Sequence, residues 1–198
     1  MTSKKDTILE AAARLLARKG YKEASMSELA KICGIAQGTI FYHYKTKEDL
    51  FLAILDEFRQ ALVEEFDAYQ QAVVFRSGLE KMESAVEFYL HVAGKMEDRF
   101  LLFHRHEAYE LSRINPDCRR SMEAIYTSLI DIFEQAIRTG QADGSVEAMP
   151  ARKTALIIFT MVDGLVRLNT YNLYDAGTLT DELFKMIRRI LTNRDSSE

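Results

Sequence analysis

Proline and glycine are scarce in this chain. Its 198 residues include 2 Pro and 9 Gly, and sheet signals are almost absent. With Ala, Leu, Glu, Lys and Arg used richly, the composition favours helices joined by short turns. Cysteine is as scarce as proline: Cys33 and Cys118 have no paired spacing, which argues against a disulfide framework or a thiolate zinc site and fits a reducing compartment. A long apolar run is missing too. "ALIIFTMV" at 155–162 is interrupted by Asp163 and is far too short to span a bilayer. The N-terminal "MTSKKDTILEAAARLLARKG" is amphipathic and charged, without the apolar stretch of a signal peptide. The expectation is a cytoplasmic protein with no membrane association.

What is present suits a globular helical protein. Hydrophobic residues make up 47% of the chain, enough to fill a sizeable core. The net charge of -4 is unevenly spread. Residues 1–47 hold nine Lys/Arg against four Asp/Glu, a net +5, and the remaining 17 bases and 26 acids leave -9. A basic head on an acidic body points to a polyanion as the head's partner.

Start and stop signals divide the chain. Ser3 is a possible N-cap for a first helix carrying Ile8, Leu9, Ala12, Leu15 and Leu16, which Gly20 ends. Ser25 with Glu28 forms a capping-box pattern for a second helix, which Gly34 stops. A third short helix is expected from about Gln37 to Tyr44, and Thr46 with Asp49 starts a fourth. That fourth helix keeps an apolar period through Phe66, long enough to bridge head and body. Further helices are expected over Leu79–Lys95, Asp98–Ser112, Asp117–Thr139 (closed by Gly140), Pro150–Leu173 and about Leu179–Leu191. "GQADGSVEAM" is the clearest loop, and the tail "TNRDSSE" is expected to fray. The 150–173 segment is apolar nearly all round, so it must be covered on several sides.

The second and third helices, joined by a glycine turn, have helix-turn-helix spacing. On a helical wheel the third places Thr39, Tyr42 and His43 on one side and Ile40, Phe41 and Tyr44 on the other. The first set is a face of donors for phosphate oxygens with Lys45 and Lys47 beside it, on an element thin enough for a major groove. Taken singly, each of these residues could be ordinary surface. Spacing, donor face and local charge arise independently, however, and they coincide.

The run "MSELAKICGIAQGTIFYHYKTKEDLFLAIL" resembles the DNA-binding head of the TetR family of bacterial transcriptional regulators, over roughly residues 5–55. The resemblance implies an all-α fold, with a three-helix DNA-binding head at 1–47 and a larger helical ligand-binding and dimerisation body at 48–198. It implies that Gln37, Gly38 and Thr39 approach base edges, while Tyr42, His43, Lys47 and the hydroxyls of Ser25 or Ser27 meet phosphates. Three residues depart from the family pattern. Phe41 stands where the family usually has Tyr, Ala36 replaces a common Ser cap, and Tyr44 replaces a core Phe. The first two changes should each weaken nonspecific affinity by roughly 0.5 to 1.5 kcal/mol, the worth of one hydrogen bond. A single helix-turn-helix reads only one half-site, so a homodimer is expected through the helices at 117–139 and 150–173, packed as a four-helix bundle on double-stranded DNA. Gly164 would permit close helix approach there.

The family also implies a small-molecule effector among the middle helices. Candidate lining residues are Phe88, Tyr89, Val92, Met96, Phe100 and Phe103, together with His104, Glu107, Tyr126, Met161 and Asp163. Aromatic and Met residues suit a flat or oily ligand, and Glu107 or Asp163 a cationic one; ordinary core packing competes at each position. Asp163 stands out because an ionised group in an apolar helix is costly unless paired, and Arg167 at i+4 could pair with it. "FHRHE" at 103–107 hints at metal, but His104 and His106 are two apart and point to different faces, so no metal and no cofactor is expected. No phosphate-cradling glycine loop, H-E-x-x-H pair or nucleophile elbow supports an enzyme. The expected function is therefore a ligand-responsive repressor, with a helical protein adaptor or a helical enzyme as the alternatives.

Overall fold

The computed structural model describes residues 3–192, and the expected frayed tail at 193–198 lies outside them. Ten α-helices and one short 3-10 turn account for the order of the chain, and among the described residues there is no strand. They are α1 (Lys4–Lys19), α2 (Met26–Cys33), α3 (Gln37–His43), α4 (Lys47–Ala72) and α5 (Gly78–Lys95), then α6 (Glu97–His104), α7 (His106–Ile114), α8 (Pro116–Asp143), α9 (Ala151–Thr170), the 3-10 turn Ala176–Leu179 and α10 (Thr180–Thr192). By internal contacts the chain groups into two compact units: residues 1–61 with 96–125, and residues 62–95 with 126–198.

In the first unit the early helix ends follow local chemistry. Ser3 Oγ accepts from Asp6 N–H while the Asp6 carboxylate accepts from Ser3 N–H, a complete capping box. Gly20 ends α1 at φ 87°. Ser25 Oγ caps α2 by accepting from Glu28 N–H. The Glu28 carboxylate lies 2.6 Å from the Lys19 ammonium, so only the serine half of the expected box is seen. Thr46 and Asp49 cap α4 reciprocally at 3.0 and 2.9 Å. Behind these ends, α1 packs its Ala and Leu face against α6, and Phe58 meets Phe100 and Phe103 with ring centroids 5.1 and 5.8 Å apart. Arg99 of α6 ties the layer together by donating to Glu10 of α1 and Glu57 of α4.

The expected single helix over 98–112 is two. Arg105 breaks it with extended backbone, φ -66° and ψ 144°, although no Pro or Gly stands nearby. The cause lies elsewhere in the unit. In this conformation Arg105 Nη1 donates at 2.8 Å to the carbonyl of Ala17 near the end of α1, one of the orphan acceptors every helix C-terminus leaves, and its guanidinium also pairs with Glu107. Asn115 then restarts the chain, its side-chain oxygen accepting from the N–H groups of Asp117 and Cys118 at the head of α8.

In the second unit, α8 does not stop at Gly140 as expected but runs to Asp143, and Gly144 at φ 79° follows it. Gly140 instead serves close packing. A Cβ there would come 2.3 Å from Val146 Cγ2, and a Cβ on Gly78 would come 1.9 Å from the Gly140 nitrogen. The start of α5 therefore crosses α8 backbone against backbone, tied by Asp143 accepting from Gly78 N–H at 2.6 Å. The clear loop shrinks to Gly144–Pro150. The rings of Tyr89, Phe133, Phe159 and Tyr126 pack edge to face at 5.6 to 6.4 Å, and Leu183, Ile187 and Leu191 of α10 are buried.

Candidate nucleic-acid interface

The turn between α2 and α3 needs a residue that adopts left-handed backbone without strain. Gly34 supplies it at φ 64°, ψ 32°, and its N–H bonds back to the last turn of α2. Ile35 and Ala36 complete the connection, and Ala36 caps α3 without any side-chain bond. This short helix is held by a single stripe: Ile40 is fully buried, and the C-cap Tyr44 is 4% exposed. Gln37, Gly38, Phe41 and Tyr42, away from that stripe, are exposed.

Gln37 and Gly38 are exposed, Thr39 and His43 are half-buried, and Tyr42 is 76% exposed with its ring edge-on to His43, centroids 5.2 Å apart. None of the eight expected DNA contacts is buried. Phe41, expected on the inner side, is 39% exposed. The wheel divided the helix into two halves, but a helix of two turns buries only a stripe, and a residue 100° from Ile40 falls on its flank. Ser25 and Ser27 are exposed at the head of α2. Ser25 Oγ accepts from Glu28 N–H, which leaves its O–H able to donate outward.

Lys47 behaves unlike the other cations of the head. Its ammonium donates to the carbonyls of Tyr21, Ala24 and Lys22 at 2.6, 3.0 and 3.4 Å and lies 4.6 Å from the centroid of the Tyr21 ring. Burial pushes its pKa down. It thus fastens the α1–α2 turn to the start of α4. Residue spacing does not reveal this, because the acceptors are backbone atoms more than twenty residues away. Lys31 and Lys45 are exposed around the same face.

The effector candidates fall into both compact units. Phe100, Phe103 and His104 are buried in the first, where Met96 and Glu107 are half-exposed. His106 is exposed, so the two histidines of "FHRHE" do part company. Glu107 also lines a surface cleft of about 520 Å³ with Tyr21, Lys22, Glu110, Leu111, Arg113 and Ile114. In the second unit Phe88, Tyr89 and Val92 are buried, Tyr126 and Met161 half-buried. Tyr89 Oη donates at 2.6 Å to Asp163 Oδ1, and Arg167 stands 3.6 Å from the other oxygen. Burial and the neighbouring carboxylate push the Tyr89 pKa well up, so the phenol stays protonated and the buried carboxylate keeps its donor. Among the described residues no group of three His, Cys, Asp or Glu could hold a metal ion, and no helix is long and apolar enough to cross a membrane.

Comparison with known proteins bears on the same segment. Residues 8–54 match the family model described as bacterial regulatory proteins, tetR family. Over 185 residues the chain is 25% identical to the fatty acid metabolism regulator protein of Bacillus subtilis, covering 91% of each. It is also 25% identical to the HTH-type transcriptional regulator QacR of Staphylococcus aureus, over 82% of this chain and 84% of that one. Among solved structures, a Saccharomonospora viridis protein in complex with choline shares the fold at a TM-score of 0.85, with 24% identity over 96% of this chain and 98% of that one. With the helix-turn-helix match at 8–54 and regulators as its relatives over most of its length, the chain carries the DNA-binding head of the tetR family of bacterial regulatory proteins and is a DNA-binding transcriptional regulator.

Proposed function

We propose that the protein is a cytoplasmic repressor, without catalytic activity, that grips a pseudo-palindromic operator as a homodimer and lets go when a small molecule binds. The observation that carries this reading is the solvent-facing side of α3: Gln37, Gly38 and Tyr42 stand exposed within a net-positive N-terminal stretch of an acidic chain. Residues 1–47 meet the DNA. Gln37, Gly38 and Thr39 approach base edges, while Ser25, Ser27, Tyr42, His43 and Lys47 face phosphates. Residues 48–198 supply the dimer and the effector site.

Dimerisation is supported by α9, which keeps Leu156 and Ile157 at 49% and 59% exposure, as surface helices seldom do without a partner. Leu168 and Gly164 follow on the outer side, and a Cβ on Gly164 would meet nothing within 4 Å. Pairing through α8 and this face would let two copies read half-sites about 34 to 36 Å apart, or a multiple of that. An effector site is supported by the aromatic cluster around Asp163, which suits a flat or oily molecule or a cation. Two proteins that share this fold were solved with choline and with stearoyl-CoA. The test is to select bound duplexes from a random pool, titrate the complex with salt, and screen compounds for its release. We expect a two-fold-related motif, an affinity that falls steeply and linearly in log salt, and a compound that dissociates the complex. Absence of saturable duplex binding at low salt would end the proposal.

A further inference from the structure

Phe41 is a large apolar ring, 39% exposed, on the element that reads DNA, and it has no polar group to donate to a phosphate. It lies four residues after Gln37, so both sit on one flank of α3, one turn apart. Ile40 and Tyr44 already hold the helix to its unit, and Phe41 is not needed as an anchor. A flank that begins with an amide and continues with a ring can use the ring only where the groove offers an apolar surface. On the floor of the major groove the apolar group is the C5 methyl of thymine. We propose that Phe41 is a specificity-determining residue, its ring packing on a thymine methyl in each half-site, about one base step from the pair read by Gln37. This rests on α3 being the recognition helix.

Replacing thymine by deoxyuridine removes that methyl and keeps every hydrogen-bonding group, so the test is a uracil scan of a duplex selected from a random pool. One thymine per half-site should stand out. Its replacement weakens binding by the parent protein about three- to fivefold, the worth of one buried methyl, and replacement in both half-sites by about an order of magnitude. Phe41→Ala should bind the thymine duplex less tightly and show equal affinity for its uracil counterpart. Phe41→Tyr, which keeps the ring, should still discriminate. Because Phe41 is 39% exposed, Phe41→Ala should stay folded with a modestly lower melting temperature and Phe41→Tyr should melt as the parent does, which a thermal melt verifies. Parent protein that ignores every uracil, a selected motif without thymine near the Gln37 pair, or a Phe41→Ala protein that still discriminates as the parent does each overturn the assignment. Failure to bind any duplex is a separate outcome and overturns the reading of α3 itself.

Discussion

Lys47 has three N–H bonds and three carbonyls to receive them, so its donors are committed before any phosphate arrives. What it can still offer DNA is its charge. Two measurements separate these roles. Lys47→Ala should lower stability by about 1 to 3 kcal/mol in denaturant titration, since it leaves part-buried carbonyls without their donor. If the charge also faces a phosphate, the salt slope should fall by about one. An unchanged slope with reduced stability would make Lys47 a fastening of the α1–α2 turn and nothing more. Tyr44 presents the opposite case. Its ring fills a core position, but its hydroxyl is buried with no hydrogen-bond partner among the described residues, and burial pushes its pKa up. Deleting an unsatisfied buried hydroxyl removes a desolvation penalty, so Tyr44→Phe should raise stability by about 1 kcal/mol or more. A loss of stability in the same titration would reveal a partner for the hydroxyl. The exposure of Gln37, Gly38 and Tyr42 was legible from spacing, but the role of Lys47 and the exposure of Phe41 were not. Both depend on which backbone lies alongside, a matter that a wheel of one helix does not contain.

The same distinction holds for the helices. Ends set by neighbours in sequence were readable: Ser3 as the cap of α1, Gly34 at the helix-turn-helix, and Thr46 with Asp49 all act over four residues or fewer. Ends set by distant contacts were misread. Arg105 opens a break to reach the carbonyl of Ala17, and Gly140 sits inside α8 because Gly78 and Val146 press on it. The glycines therefore predict a ranking. Gly78→Ala meets backbone at 1.9 Å and should cost about 3 kcal/mol, near the top of the overpacking range. Gly140→Ala meets the side chain of Val146 and gains helix propensity, so it should cost less. Gly164→Ala meets nothing and should stabilise the isolated chain by up to about 1 kcal/mol. Midpoints of chemical denaturation in any other order would refute the packing argument. Between α1 and α6 the tie is ionic: the hydrogen bond from Arg99 holds the Glu10 carboxyl below its ordinary value of 4.5. A depressed carboxylate stabilises the folded state above the unfolded pKa and loses that contribution as pH falls through the folded one. Stability should therefore drop below about pH 4.5, and Arg99→Met should flatten that part of the profile; an equally steep profile in the variant would assign the acid lability to other groups.

Charge and exposed apolar surface place two binding activities in different stretches of the chain. The +5 of residues 1–47 provides the sequence-independent attraction that DNA binding requires, and it is modest for one copy. A second copy doubles the phosphates neutralised and ties the two readings to one spacing. If α9 carries the proposed dimer face, its exposed Leu156 and Ile157 are where pairing can be broken without touching the head. A carboxylate at position 157 would then be stranded in an apolar dimer core at a cost of several kcal/mol in each copy, enough to weaken pairing by several orders of magnitude. In the isolated chain Ile157 is 59% exposed, so the same substitution leaves the monomer's fold intact. Ile157→Glu should therefore sediment as a monomer with an unchanged far-ultraviolet spectrum. It should lose preference for the two-fold operator over a single half-site, and its slope of log affinity against log salt should fall to about half of the parent's, because half the phosphates remain in contact. A variant that stays dimeric would move the interface away from α9. One that is monomeric yet keeps the parent's slope and operator preference would show that a single copy reads the whole site.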